Sequence, residues 1–174
     1  TQFRPGQERL IDAILSGRDA LGIMPTGGGK SLCYQIPALL LPGVTLVISP
    51  LISLMKDQVA ALKKSGIDAA FLNSSLTGDQ LRTVYRRARE GAYKLLYVAP
   101  ERLEGDGFAA LARELALSLV AVDEAHCISQ WGQDFRPSYL NIAAFVAALP
   151  RRPVVAAFTA TATADVQGDI TRLL

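Results

Sequence analysis

Cysteine and histidine are nearly missing: Cys33, Cys127 and His126 are the whole complement in 174 residues. Zinc-type sites need clustered ligand pairs, so none is legible in this spacing, and two distant thiols make no disulfide framework. Reduced, buried thiols in an intracellular protein are the expectation. Long apolar runs are also lacking. The longest, Ile36 to Ile48, is interrupted by Pro37, Pro42 and Gly43 and is too short to span a bilayer. No secretory leader pattern opens the sequence, which leads us to expect a soluble, cytoplasmic protein with no membrane partner. An excess of one charge is missing as well. Eighteen Lys and Arg against 16 Asp and Glu leave +2, too mild to decide for or against a nucleic-acid partner. With 20% charged and 50% apolar residues, intrinsic disorder is excluded.

Alanine is plentiful, at 25 residues, and mean hydropathy is +0.25. Both suit helices packed closely on a sheet buried on its two faces. The length fits one domain, or one lobe of something larger. Short β-branched or apolar runs predict strands at Ala20–Met24, Val44–Ser49, Ala69–Leu72, Lys94–Val98, Leu117–Asp123 and Val154–Thr159. Segments of helical period alternate with them. One stripe runs through Ile52, Met55, Val59 and Leu62, another through Leu81, Val84, Tyr85 and Ala88, a third through Ile142, Phe145, Val146 and Leu149. Such alternation predicts an α/β fold with a mainly parallel central sheet, helices on both faces and right-handed crossovers. Ligands then bind beyond the carboxyl ends of the strands.

Directly after the first of these strands comes Met24-Pro25-Thr26-Gly27-Gly28-Gly29-Lys30-Ser31, followed by an apolar helix, Leu32–Leu41. Consecutive glycines let backbone N–H groups turn around an anion, and a helix N-terminus adds partial positive charge at the same place. Lys30 is suited to the β- and γ-phosphates and Ser31 to Mg²⁺. Met24 stands where the strict phosphate-loop pattern has glycine, and a plain glycine-rich turn before a helix is the competing reading. The fifth strand ends in Asp123-Glu124-Ala125-His126. Asp123 would hold Mg²⁺ through water, and Glu124 would polarise the attacking water. A helix N-cap is the alternative for that pair taken alone. The two motifs together read as a nucleoside-triphosphate-hydrolysing core.

Farther along, Trp131 and Phe135 stand in a polar, glycine- and proline-containing loop beside Arg136, where stacking on bases competes with local packing as an explanation. Near the start, Gln7 offers the donor and acceptor an adenine edge requires, and Arg4 can stack on a ring. Arg82, Arg86, Arg87, Arg89 and Lys94 make a basic face that reads first as solvated surface.

In this order the motifs resemble the first motor lobe of superfamily 2 helicases, and specifically the RecQ family of DNA helicases. The resemblance runs through Phe3–Gln7, Met24–Ser31, Ser49–Gln58, Tyr97–Leu103, Cys127–Tyr139 and Phe158–Thr163, and so covers essentially the whole chain. It implies a RecA-like P-loop lobe over residues 1–174, with the second motor lobe, the zinc-binding part and the winged helix lying outside this chain. The cofactors implied are ATP and Mg²⁺. Arg4, Gln7, Thr26, Gly27, Gly28, Gly29, Lys30 and Ser31 would bind nucleotide, and Lys30, Asp123 and Glu124 would carry the chemistry. Ser31 and Asp123 would hold the metal. Contact with DNA, or its coupling to the ATP site, would fall to Pro50, Ser53, Arg102, His126, Gln130, Trp131, Phe135, Arg136, Thr159 and Thr161. Single-stranded and partly duplex DNA, and the second lobe of the same polypeptide, are the partners the resemblance implies. The whole protein is expected to be a bacterial, nucleoid-associated monomer unwinding 3′ to 5′ in repair and recombination. A superfamily 2 RNA helicase and another P-loop enzyme, such as a small-molecule kinase, are the alternatives.

Overall fold

The computed structural model describes residues 2–25, 29–160 and 162–174. In chain order the elements are α1 (Gln7–Leu15), β1 (Ala20–Ile23), α2 (Lys30–Leu40), β2 (Val44–Ile48), α3 (Ile52–Lys64), β3 (Ala69–Leu72), α4 (Gly78–Arg89), β4 (Leu95–Val98), α5 (Asp106–Glu114), β5 (Leu117–Val122), α6 (Ile142–Ala147), β6 (Val154–Thr159) and α7 (Ala164–Leu173). Single 3₁₀ turns occupy Pro100–Glu104, Ala125–Ile128 and Pro137–Asn141. The six strands form one parallel sheet in the order β1-β6-β5-β2-β4-β3.

Alternation along each central strand divides the core in two. Leu46 and Ile48 of β2, Val120 and Val122 of β5 and Val155 and Ala157 of β6 face a layer made by α4, α5, α6 and α7. Val47, Leu119, Ala121, Ala156 and Phe158 face the opposite layer, where Ile14, Cys33, Tyr34, Met55 and Val59 bring in α1, α2 and α3. Helices therefore cover both faces, as the alanine content and the continuous apolar strands required. Both cysteines are free and buried.

Strand ends differ from the sequence expectation by single residues, for one reason. Met24 N–H donates to the Thr159 carbonyl at 2.9 Å, Ser49 N–H to Val98 at 3.1 Å and Asp123 N–H to Ile48 at 2.9 Å. Each makes one more ladder bond before the chain turns away. The buried strands thus stop in register along one edge of the sheet, and the motif residues stand just past that edge. Met24, where the strict motif has glycine, is buried with its sulfur 3.8 Å from Cys33 Sγ. It fills core space.

Candidate active site

Thr26, Gly27, Gly28 and Thr161 lie outside the described residues. The phosphate motif is therefore seen through its flanks. Gly29 caps α2 with φ 77°, in the left-handed region, and its carbonyl accepts from Leu32 N–H at 3.1 Å and from Gln7 Nε2 at 3.1 Å. A β-carbon there would collide with the Gln7 amide, so glycine is required by conformation and by space. Gln7 is 2% exposed and also accepts from the Arg4 backbone N–H at 2.6 Å, which ties the start of α1 to the start of α2. Arg4 itself is exposed. The two proposed adenine readers thus stand beside the end of the phosphate loop although the chain separates them widely.

Lys30 opens α2 and sets its Nζ 3.9 Å from Glu124 Oε1, linking the motif after β1 to the motif after β5. Strand β6 runs between those two strands and ends in buried Thr159. Thr159 Oγ1 lies 2.8 Å from His126 Nδ1, which is itself 3.5 Å from Glu124 Oε2. Lys30, Glu124, His126 and Thr159 therefore form one polar chain across the ends of β1, β5 and β6. Glu124 adopts φ 51°, ψ 46°, the one non-glycine positive φ among the described residues. That conformation costs on the order of 1–2 kcal/mol, and it turns the carboxylate back toward Lys30. Strain at the residue that faces Lys30 is what a functional constraint there would produce.

Burial pushes the Asp123 carboxyl above the ordinary aspartate range, and the neighbouring Glu124 charge adds to this. Lys30, the Glu124 N–H at 3.0 Å and His126 offset part of the effect. A desolvated carboxylate beside a second one, with the half-buried hydroxyl residue Ser31 next to Lys30 in the first turn of α2, is a donor set suited to a hard divalent cation. The residues present fit Mg²⁺ in that sense. Below the site, buried Tyr139 donates to the Asp123 carbonyl at 2.7 Å and clamps the turn from beneath.

The loop after the acids projects from a closed neck, where Arg136 N–H donates to the Cys127 carbonyl at 2.8 Å. Trp131 at its tip is 75% exposed, Gln130 is exposed, and Phe135 and Arg136 are half-buried. The Trp131 indole is thus left largely free of core packing, whereas Phe135 is partly packed. Arg136 meets Pro50 and Arg102 along a groove of about 420 Å³ that Asn73 and Ala99 also line. Arg102 donates to the Asn73 carbonyl at 3.3 Å. Ser53 is exposed on α3 and does not line this groove, and neither does Phe135.

A model of the DEAD/DEAH box helicases matches residues 4–168, from the Arg4 segment to beyond the Thr159 motif. The chain belongs to the DEAD/DEAH box helicase family. It is 52% identical over 174 residues to the "ATP-dependent DNA helicase RecQ" of Bacillus subtilis and 54% identical over 172 residues to that of Haemophilus influenzae. Those alignments cover 99% of this chain but only 29% and 28% of the relatives, so the chain spans less than a third of their length. The helicase fold is shared with the Pyrococcus furiosus Hef helicase domain, at TM-score 0.75 and 21% identity. A hypothetical ATP-dependent RNA helicase from Sulfolobus tokodaii gives TM-score 0.76 at 20% identity. They cover 99% and 100% of this chain and 36% and 51% of the respective structures.

Within this helicase lobe, several polar contacts escaped the sequence reading. Tyr34 Oη of α2 donates to Gln58 Oε1 of α3 at 3.1 Å, and Gln35 Nε2 of α2 donates to Tyr97 Oη of β4 at 3.2 Å. The helix that begins at Lys30 is thereby bonded to α3 and β4, within the Ser49–Gln58 and Tyr97–Leu103 segments. Tyr34 and Gln35 look like ordinary helix residues in sequence. A tyrosine and a glutamine inside an otherwise apolar helix were the only available signal.

Proposed function

We propose that this lobe binds Mg-ATP and single-stranded DNA and, joined to a second RecA-like lobe, couples ATP hydrolysis to 3′–5′ DNA unwinding in repair and recombination. The observation that carries the reading is the Lys30–Glu124–His126–Thr159 chain, because two ion-pair contacts and one hydrogen bond join a phosphate-side cation, a water-polarising carboxylate and the motif at the end of β6 in one polar path. Arg4 and Gln7 would read the adenine, and the glycine loop with Lys30 would neutralise the phosphates. Ser31 and Asp123 would hold Mg²⁺, which when bound shields the phosphate charge and relieves the carboxylate repulsion at Asp123. Glu124 would then orient the attacking water. Trp131, Phe135, Gln130 and Arg136, with Pro50, Ser53 and Arg102, would meet the single strand by stacking and phosphate contact. The names and identities of the relatives support DNA as the substrate, and the whole protein would work in a bacterial cytoplasm at the nucleoid.

Hydrolysis also needs transition-state charge, which an arginine finger on the second lobe would supply, worth roughly 10³–10⁵ in rate among comparable enzymes. The isolated lobe should therefore bind Mg-ATP weakly, barely turn it over and unwind nothing. The test uses the full-length protein. Single-stranded DNA should stimulate its ATPase strongly, and Lys30→Ala or Glu124→Gln should cut the stimulated rate by about 10²–10⁴. Stimulation by RNA alone would turn the reading to an RNA helicase. Phosphorylation of a metabolite without nucleic acid would replace it with a kinase.

A further inference from the structure

The turn that carries Trp131 is fastened to α7 through Ser129, whose partner there, Asp169, lies outside all of the sequence motifs. Ser129 is fully buried, and its hydroxyl has two partners. It donates to Asp169 Oδ2 of α7 at 2.6 Å and accepts from the Trp131 amide at 3.1 Å. A hydroxyl satisfied on both sides has a fixed orientation, so the start of the Trp131 turn is held relative to α7. The Ser129 carbonyl in turn accepts from Gly132 N–H at 3.1 Å, and a β-carbon on Gly132 would lie 3.0 Å from the His126 carbonyl. The turn is therefore close-packed at its base while the Trp131 indole stands out in solvent.

Asp169 is well placed for this duty. Its side chain is only 15% exposed, and Arg172, one helical turn on, meets its other oxygen at 2.8 Å. The Ser129 hydroxyl first, and then Arg172, hold its carboxyl below the ordinary range. It is thus ionised at neutral pH, and the bond to Ser129 is charge-assisted. The same β6–α7 unit grips the segment at a second point, since Thr159 at the end of β6 bonds His126 at 2.8 Å. His126 neighbours Glu124, and Ser129 neighbours the Trp131 turn, so one short segment is held at its ATP-facing end and at its loop-facing end by the same strand and helix. α7 packs directly on that segment, Ala125–Ile128.

We propose that Asp169 is a positioning residue: acting through Ser129, it fixes the Trp131 turn against α7, so that a strand engaging the loop moves the Thr159–His126–Glu124 end of the same segment. The proposal rests on the helicase reading above. Its role is coupling, and neither nucleotide nor DNA is contacted by Asp169.

Asp169→Ala and Asp169→Asn in the full-length protein provide the test, with ATPase measured with and without single-stranded DNA. Asp169→Ala should lower the DNA-stimulated rate roughly 3- to 30-fold, the range of coupling through a hydrogen-bonded link, while the DNA-free rate and the KM for ATP stay within about twofold. Asp169→Asn keeps an oxygen that can accept from Ser129 and should recover most of the stimulation. Stimulation that survives Asp169→Ala overturns the proposal alone. Equal loss of the basal and stimulated rates, accompanied by a lower Tm, makes Asp169 a folding residue and also overturns it. Absence of stimulation in the unmutated protein overturns the helicase reading and this proposal with it.

Discussion

Asp123 shows how function is bought against stability at the level of one residue. Its carboxyl is raised by burial and by Glu124, so the folded lobe disfavours the ionised form that metal binding requires. The sign follows from linkage. A carboxyl raised in the folded state is deprotonated first in the unfolded chain, so stability falls as pH rises from the unfolded value through the folded one and is flat above. In Mg²⁺-free buffer, Asp123→Asn should therefore match the parent at low pH and become more stable as pH rises through the carboxylate range, while hydrolysis by the full-length protein is lost. Thermal melts of the two lobes at a series of pH values read this directly. A parent lobe that is the more stable of the two at neutral pH contradicts the account. Gly29 makes a complementary demand: a left-handed φ and the close approach of Gln7 leave no room for a side chain.

At the level of elements, the six strands and the helices α2, α3, α4 and α6 follow local rules closely enough to be read before folding, whereas α1, α5 and α7 carry no stripe assigned from the sequence. Thr77 accepts from Gln80 N–H at 3.2 Å while Gln80 Oε1 accepts from Thr77 N–H at 2.9 Å, a capping box that opens α4. Asp79 in its first turn and Arg86, Arg87 and Arg89 toward its end agree with the helix dipole. The exposed arginines agree with a solvated face, whereas Lys94 lies outside α4, is half-buried and donates from Nζ to the Leu41 carbonyl at 2.9 Å. Thr77→Ala should cost about 1 kcal/mol in a urea melt without changing nucleotide binding, and no loss of stability would contradict the cap. The strands were legible because each runs apolar on both faces, and the phosphate and acidic motifs because their chemistry needs short contiguous runs at strand ends. Ser129–Asp169, Tyr34–Gln58, Gln35–Tyr97 and Tyr139–Asp123 were not legible. Each joins polar groups from separate parts of the fold, and no spacing or period in the sequence records which polar residue another will meet across it.

In the whole molecule, the parallel sheet, buried on both faces, gathers motifs scattered from Arg4 to Thr159 along a single edge. The outer strand β1, which leads into the phosphate loop, is fixed to β6 by Asp19, whose carboxylate accepts from both Arg152 nitrogens at 3.0 and 2.7 Å and from Val155 N–H at 2.9 Å. The motif-bearing edge then has two parts, the proposed nucleotide side at Gly29–Lys30 and the Trp131 loop, with Glu124, His126 and Thr159 in contact between them. The central claim is that these two parts communicate within this one lobe. Trp131 is the only tryptophan of the chain, so its fluorescence reports the loop alone. We would titrate the lobe with a single-stranded DNA oligonucleotide, with and without Mg-ATPγS, and repeat the titration with Lys30→Ala. The account predicts a DNA-dependent change that nucleotide enhances in the unmutated lobe and not in the variant. An emission that ignores DNA, or a DNA response that nucleotide leaves unaltered, would contradict it.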